Sequence, residues 1–201
     1  MSEPPSPGLT PSFSLATPEG EDRDRRVCDH CGFVDYVNPK IVVGSVIAWS
    51  DQGDPFGPDA VPLEDVRILL CRRAILPRKG YWTQAAGYME EHETVAHAVR
   101  REAQEEALAD IELDAILGVY DVPQRSQVQI MYRARLKSPE IGAGPESLEA
   151  KLFRWSEIPW KALAFHSVSW SLMYFEQSRL LASFPPFGNP PVMGWMGPAA
   201  G

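Results

Sequence analysis

Apolar and polar positions change period along this chain, and the changes predict its elements. Residues 41–49 read Ile-Val-Val-Gly-Ser-Val-Ile-Ala-Trp, a nearly unbroken apolar run rich in β-branched residues, which predicts a strand buried on both faces. Asp51, Gly53, Asp54, Pro55, Gly57, Pro58 and Pro62 punctuate the loop that follows. A second strand is predicted at 66–75, closed by Pro77 and a turn at Lys79-Gly80. The period then becomes helical, because Val95, Val99, Ala103 and Ala107 recur every four residues and Thr94 suits the N-cap. Further strands are predicted at 111–122 and 126–136, a loop at 139–149, a short apolar segment at 152–155 and a second helix at 167–183. Strands and helices mixed in this order predict one layered domain, α/β or α+β.

Composition changes this picture at the ends. Of 19 prolines, ten lie in residues 1–26 and 184–201, so both ends read as tails: a disordered N-terminal one and a Pro/Gly-rich C-terminal one. The working domain is then expected at 27–183, long enough to bury a core without disulfide or metal support. With 19 Lys+Arg against 27 Asp+Glu the net charge is -8, which excludes a protein that works by gripping a nucleic-acid backbone. The first residues lack the basic start and apolar stretch of a secretory signal, and no apolar run reaches membrane-spanning length. The expectation is a soluble, cytoplasmic protein with no membrane partner.

Candidate chemistry concentrates at 87–109. On a helix, Glu102, Glu105 and Glu106 share an arc about 100° wide. Like charges at such spacings cost a helix roughly 0.2–0.5 kcal/mol per pair, and Arg101 offsets part of that. A hard divalent cation would turn the cluster into a binding site; a solvated acidic face is the bland alternative. Cys28 and Cys31 have the spacing of half a zinc site, but no cysteine precedes them, so a residual turn without zinc is expected at 27–40, with zinc shared by the two pairs of a dimer as the lesser alternative. Cys71, inside an apolar run, reads as core.

The full arrangement decides between these alternatives. Gly87, then Glu93 after five residues, then Arg101-Glu102-Ala103-Gln104-Glu105-Glu106 after seven more, resembles the signature of the Nudix hydrolases, with Leu108 where the family has a second glycine. Flanking stretches, among them Tyr36-Val-Asn38-Pro39, Gln127-Val128 and Glu157-Ile158-Pro159-Trp160, resemble a subgroup that often carries an N-terminal zinc ribbon and acts on ADP-ribose, FAD or related dinucleotides.

The resemblance implies an α/β/α sandwich with a mixed central sheet and a loop-helix-loop catalytic box. It further implies metal-dependent hydrolysis of a nucleoside diphosphate derivative, most plainly ADP-ribose or FAD, with AMP as one product. Glu102, Glu105, Glu106 and the carbonyl of Ala86 would hold Mg²⁺ or Mn²⁺, Arg101 would orient a carboxylate, and Gly87 and Glu93 would support the box. The base would be Glu105 or a loop acid, with Glu149 ahead of Glu146. Tyr81, Trp82 and Gln127 are the expected substrate contacts, with Tyr120 a further stacking candidate, and a homodimer is expected. The rival expectations are a catalytically silent nucleotide-binding module and a diphosphatase for NADH or diadenosine polyphosphates.

Overall fold

The computed structural model describes residues 10–191. The chain divides after Pro39 into two compact units. The first is a three-stranded antiparallel sheet of β1 (Phe13–Ala16), β2 (Arg25–Cys28) and β3 (Val34–Asp35), in the order β1-β2-β3. This corrects the expected N-terminal tail over residues 13–26; residues 1–9 lie outside the described part. Burial is slight in β1, so apolar composition gave no signal for it. Its backbone is satisfied instead by β2, with Phe13 opposite Cys28 and Ala16 opposite Arg25. The polar turn satisfies itself: Thr17 donates to Asp24 at 2.6 Å, and Glu21 accepts from Arg25 and from the Tyr36 hydroxyl.

In the second unit the buried run becomes β4 (Lys40–Trp49), the axis of a seven-stranded mixed sheet. Around it stand β5 (Arg67–Arg73), β6 (Trp82–Thr83), β7 (Ala86–Tyr88), β8 (Ile111–Val122), β9 (Gln127–Leu136) and β10 (Ser147–Arg154). The main path runs β10-β5-β4-β9-β8, with β6 on β5 and β7 on β4; β4 and β9 are parallel and the other pairs antiparallel. Helix α1 (Val95–Ala107) covers one face and α2 (His166–Ser178) the other. The period-two alternation sorts the strands between them. Val43, Ile47, Leu69 and Cys71 pack with Ala98, Val99, Ala103 and Ala107 of α1, while Val46, Ala48, Ile68 and Leu70 pack with Leu172 and Phe175 of α2. No helix among the described residues is long and apolar enough to cross a membrane.

Two boundaries differ from the sequence expectation. The strand around Leu152 begins at Ser147, inside the predicted loop, because pairing with β5 extends it. Helix α2 stops at Ser178, and the expected C-terminal tail is docked as far as the description reaches. Phe187 donates its N–H to Leu117 at 2.9 Å, its carbonyl accepts from Val119 at 2.8 Å, and its ring stacks on Tyr174 at 4.3 Å. Phe187, with Asn189 bonded to the Asp121 backbone at both ends of its amide, thus holds at the edge of β8 a segment whose prolines suggested disorder; residues 192–201 lie outside the described part.

Candidate active site

The loop after β7 leads into α1, and the entry is built by local chemistry. Thr94 caps the helix, its Oγ1 accepting from the His97 N–H at 3.2 Å. Glu93 accepts from the Glu90 N–H at 2.8 Å and from Arg101 through both carboxylate oxygens. That pairing with Arg101, ahead of the Glu90 N–H, pulls the Glu93 carboxyl down to about 2. Arg101 also donates to the Tyr88 carbonyl at 3.0 Å, to Glu102 at 2.7 Å and to Glu105 at 3.0 Å. It ties the loop to the helix while orienting two carboxylates of the cluster.

The three glutamates have different surroundings. Glu105 is more than half exposed, whereas Glu102 and Glu106 are buried. Burial raises the Glu102 carboxyl and pushes Glu106 to about 7, against the opposing pull of the Ala86 N–H that Glu106 accepts at 3.0 Å. Gly87 leaves room beside them, since a Cβ there would overlap the Glu102 carboxylate as it now stands. At the helix exit, Leu108 itself adopts the left-handed conformation (φ 51°) that glycine takes most readily, and the backbone closes normally, with Ala109 N–H on Ala103 O at 3.1 Å.

The 139–146 loop is fastened to the same helix end. Gly142 N–H donates to Ala107 O at 2.9 Å, Gly144 N–H to Glu106 O at 3.1 Å, and Ala74 N–H to Glu146 O at 2.8 Å. A Cβ on Gly144 would overlap the Glu105 carbonyl, so the loop lies against the helix backbone there. This places Glu146 with the cluster, near enough that its charge adds to the upward shift of both Glu102 and Glu106.

These side chains form the acidic end of a cleft of about 1750 Å³. Glu102, Glu105, Glu106, Arg101, Ala86, Gly87 and Glu146 line it, as do the expected contacts Tyr81 and Gln127. Three expected residues lie elsewhere. Glu149 is exposed on β10 opposite Arg72 and is not in the cleft lining, since the bulge at Ser147 starts the strand before it. Trp82 packs edge-on against Phe153 at 4.8 Å, and Tyr120 is fully buried against Trp170 and Tyr174. Sequence reasoning missed Gln84, Gln129, Arg73 and Arg125 in the cleft wall. Arg73 and Arg125 both lie over the Phe165 ring, at 5.2 and 5.7 Å. Neither has a periodic or motif signal, because one ends β5, the other lies in the turn between β8 and β9, and it is the distant Phe165 ring that they share.

The donor set fits a hard divalent cation in its chemistry: buried carboxylates of raised pKa crowd together where positive charge would relieve them. Arg101 supplies that charge in this arrangement, and among the described residues no three His, Cys, Asp or Glu side chains are placed to hold an ion. In the first unit Cys28 and Cys31 are free thiols on a tight turn, with Gly32 N–H on Cys28 O at 2.9 Å.

Comparison with known proteins gives matches of two kinds. The NUDIX domain family model matches residues 57–172, and a Nudix N-terminal zinc-ribbon model matches residues 10–37. The ADP-ribose pyrophosphatase of Methanocaldococcus jannaschii is 32% identical over 105 residues, covering 50% of this chain and 62% of that protein. A MutT-like protein of Streptomyces ambofaciens is 34% identical over 92 residues, covering 46% and 56%. The chain thus spans less than two thirds of the length of either curated relative. Among solved structures, a NUDIX hydrolase from Nitrosomonas europaea superposes with a TM-score of 0.73 at 32% identity, covering 91% of this chain and 98% of that one. The NUDIX domain of Shewanella oneidensis NrtR, solved with ADP ribose, shares the fold at 17% identity, with a TM-score of 0.55 and coverage of 71% and 89%.

Proposed function

This chain belongs to the NUDIX domain family, and on that premise we propose that it hydrolyses the diphosphate linkage of a nucleoside diphosphate derivative, with ADP-ribose the first candidate and FAD the second. Water adds to one phosphorus, the bridging P–O bond breaks, and ADP-ribose yields AMP and ribose 5-phosphate. The observation that carries the reading is the gathering of Glu102, Glu105, Glu106 and Glu146 at one end of a cleft of about 1750 Å³. That exceeds the roughly 300–1,000 Å³ of a drug-sized pocket and leaves room for both halves of a dinucleotide.

Mg²⁺ or Mn²⁺ bound by Glu102, Glu105, Glu106 and the Ala86 carbonyl would neutralise charge on the diphosphate. The chain's own residues supply the rest. Arg101 holds the Glu102 and Glu105 carboxylates in orientation. Glu146, facing the cluster from a loop fastened at three backbone positions, is the group assigned to take a proton from the attacking water, in place of Glu149. Tyr81 at the rim, with Arg78 5.3 Å from its ring, offers a planar face to a base.

The test is incubation with ADP-ribose, FAD, NADH and diadenosine polyphosphates, in Mg²⁺ and in chelator, with products identified by mass. AMP released in a metal-dependent way is the expected result. Tight ADP-ribose binding without turnover of any of them would replace the enzyme with a nucleotide-binding module.

A further inference from the structure

The cleft wall away from the glutamates carries two carboxamides with unmet acceptors. Gln84, between β6 and β7, is 2% exposed and lines the cleft. Its Nε2 faces Met131 Sδ at 2.8 Å and donates to Ser171 Oγ at 3.4 Å. Ser171 directs its own hydroxyl to the Ser167 carbonyl at 2.9 Å, so it meets Gln84 as an acceptor and fixes the amide's orientation. The Gln84 oxygen is left buried, with no donor among the described residues.

Gln129 reaches the same condition by a different route. Gln127 donates to the Tyr88 hydroxyl at 3.0 Å, and Gln129 donates to the Gln127 oxygen at 3.4 Å. This chain of amides points one way and ends at the Gln129 oxygen, which is also buried without a donor. The two glutamines share a sheet face. Gln129 stands two residues from Met131, the residue Gln84 touches, and Gln129 and Met131 face Val42 and Gly44 of β4, opposite which β7 sets Tyr88 and Ala86. Leaving a buried acceptor without a donor is costly, so two on one cleft wall point to donors supplied from outside the chain.

We propose that Gln84 and Gln129 are specificity-determining residues of this cleft, their oxygens accepting from N–H or O–H donors of the bound nucleoside. This rests on the diphosphatase reading for the class of ligand. Two parts of such a ligand carry the required donors, the ribose hydroxyls and an exocyclic amino group on the base. A ligand that offers neither leaves both acceptors buried and unmet, which is how a polar wall rejects the wrong molecule.

The experiment uses the full chain in chelator, so that binding is read without turnover. ADP-ribose, its hypoxanthine analogue lacking the amino group and its deoxyribose analogues are titrated calorimetrically against wild type, Gln84→Met and Gln129→Met. Each variant should bind ADP-ribose about three- to tenfold more weakly, the loss of one hydrogen bond. The analogue lacking the relevant donor should bind wild type more weakly by a similar factor and lose nothing further in the variant that removes its partner. With metal and ADP-ribose, KM should rise while kcat holds. Gln84→Met should melt no lower than wild type, since it removes an unmet acceptor. Unchanged affinity in either variant overturns the assignment of that residue. Affinity lost together with melting temperature would mark a structural role and overturn both, as would a wild type that binds none of the ligands. A wild type that binds ADP-ribose yet releases no AMP with metal would instead sink the diphosphatase reading, and the affinities would still decide this one.

Discussion

Arg101 and Glu93 form a two-armed ion pair at the entrance of the box helix, with Nη2 donating to Oε1 at 2.7 Å and Nε to Oε2 at 3.2 Å. Because this pairing holds the Glu93 carboxyl near 2, its contribution to stability is present above the ordinary glutamate value of 4.5 and is lost as pH falls toward 2. Glu93→Gln should therefore lower the melting temperature at pH 7 and flatten its decline between pH 5 and pH 2. Arg101→Lys keeps the charge but not the fork, and should weaken divalent-cation affinity by roughly 10–100-fold, the usual cost of losing a residue that orients ligands. Thermal melts across pH and a cation titration check both.

Glu106 has the opposite sign. Its carboxyl is raised to about 7 by burial, so the folded protein keeps a proton that the unfolded chain gives up near 4.5. Stability is therefore lost as pH climbs from about 4.5 to 7, and the full penalty applies above that window. Glu106→Gln should stabilise the metal-free protein at pH 8 by up to about 3 kcal/mol and change little at pH 4. Mg²⁺ should raise the wild-type melting temperature at pH 8 more than that of the variant. A variant no more stable than wild type at pH 8 would contradict the burial argument.

Leu108 turns the chain at φ 51° without being a glycine, and its side chain is half exposed. Leu108→Gly should stabilise the fold by about 0.5–1 kcal/mol by removing the left-handed penalty, whereas the β-branched Leu108→Val should destabilise it. Chemical denaturation of the three proteins gives the ranking.

Glu146 lines the cleft and Glu149 does not. Glu146→Gln should lower kcat by about 10²–10⁴-fold, the range for a lost general base, while Glu149→Gln stays near wild type. The reverse ranking would show that the loop rearranges on binding substrate.

Much of this was legible in the residues because the signals are local. Thr94 could be read as a cap because an N-cap acts within three residues. Strand 41–49 announced itself by its apolar run, and the spacing from Gly87 to Glu106 marked the box, whereas the pairing of Arg101 with Glu93 is a finding of the structure. The first sheet was missed because β1 buries little, and a strand held by backbone pairing leaves no trace in composition. The docked C-terminal segment was missed because its prolines outweighed Phe187, whose value lies in reaching Tyr174 and the edge of β8.

The sequence alone carried the box that marks the family and the carboxylates that crowd on α1, since these lie within one loop and the helix after it, while the sandwich on a mixed sheet was implied by the resemblance and not by local pattern. Only the tertiary structure decided which loop acid enters the cleft, which aromatic residues are packing and that Gln84, Gln129, Arg73 and Arg125 line the same cleft. Those placements depend on strand order and register, which join residues tens of positions apart through backbone hydrogen bonds that side-chain periodicity does not encode.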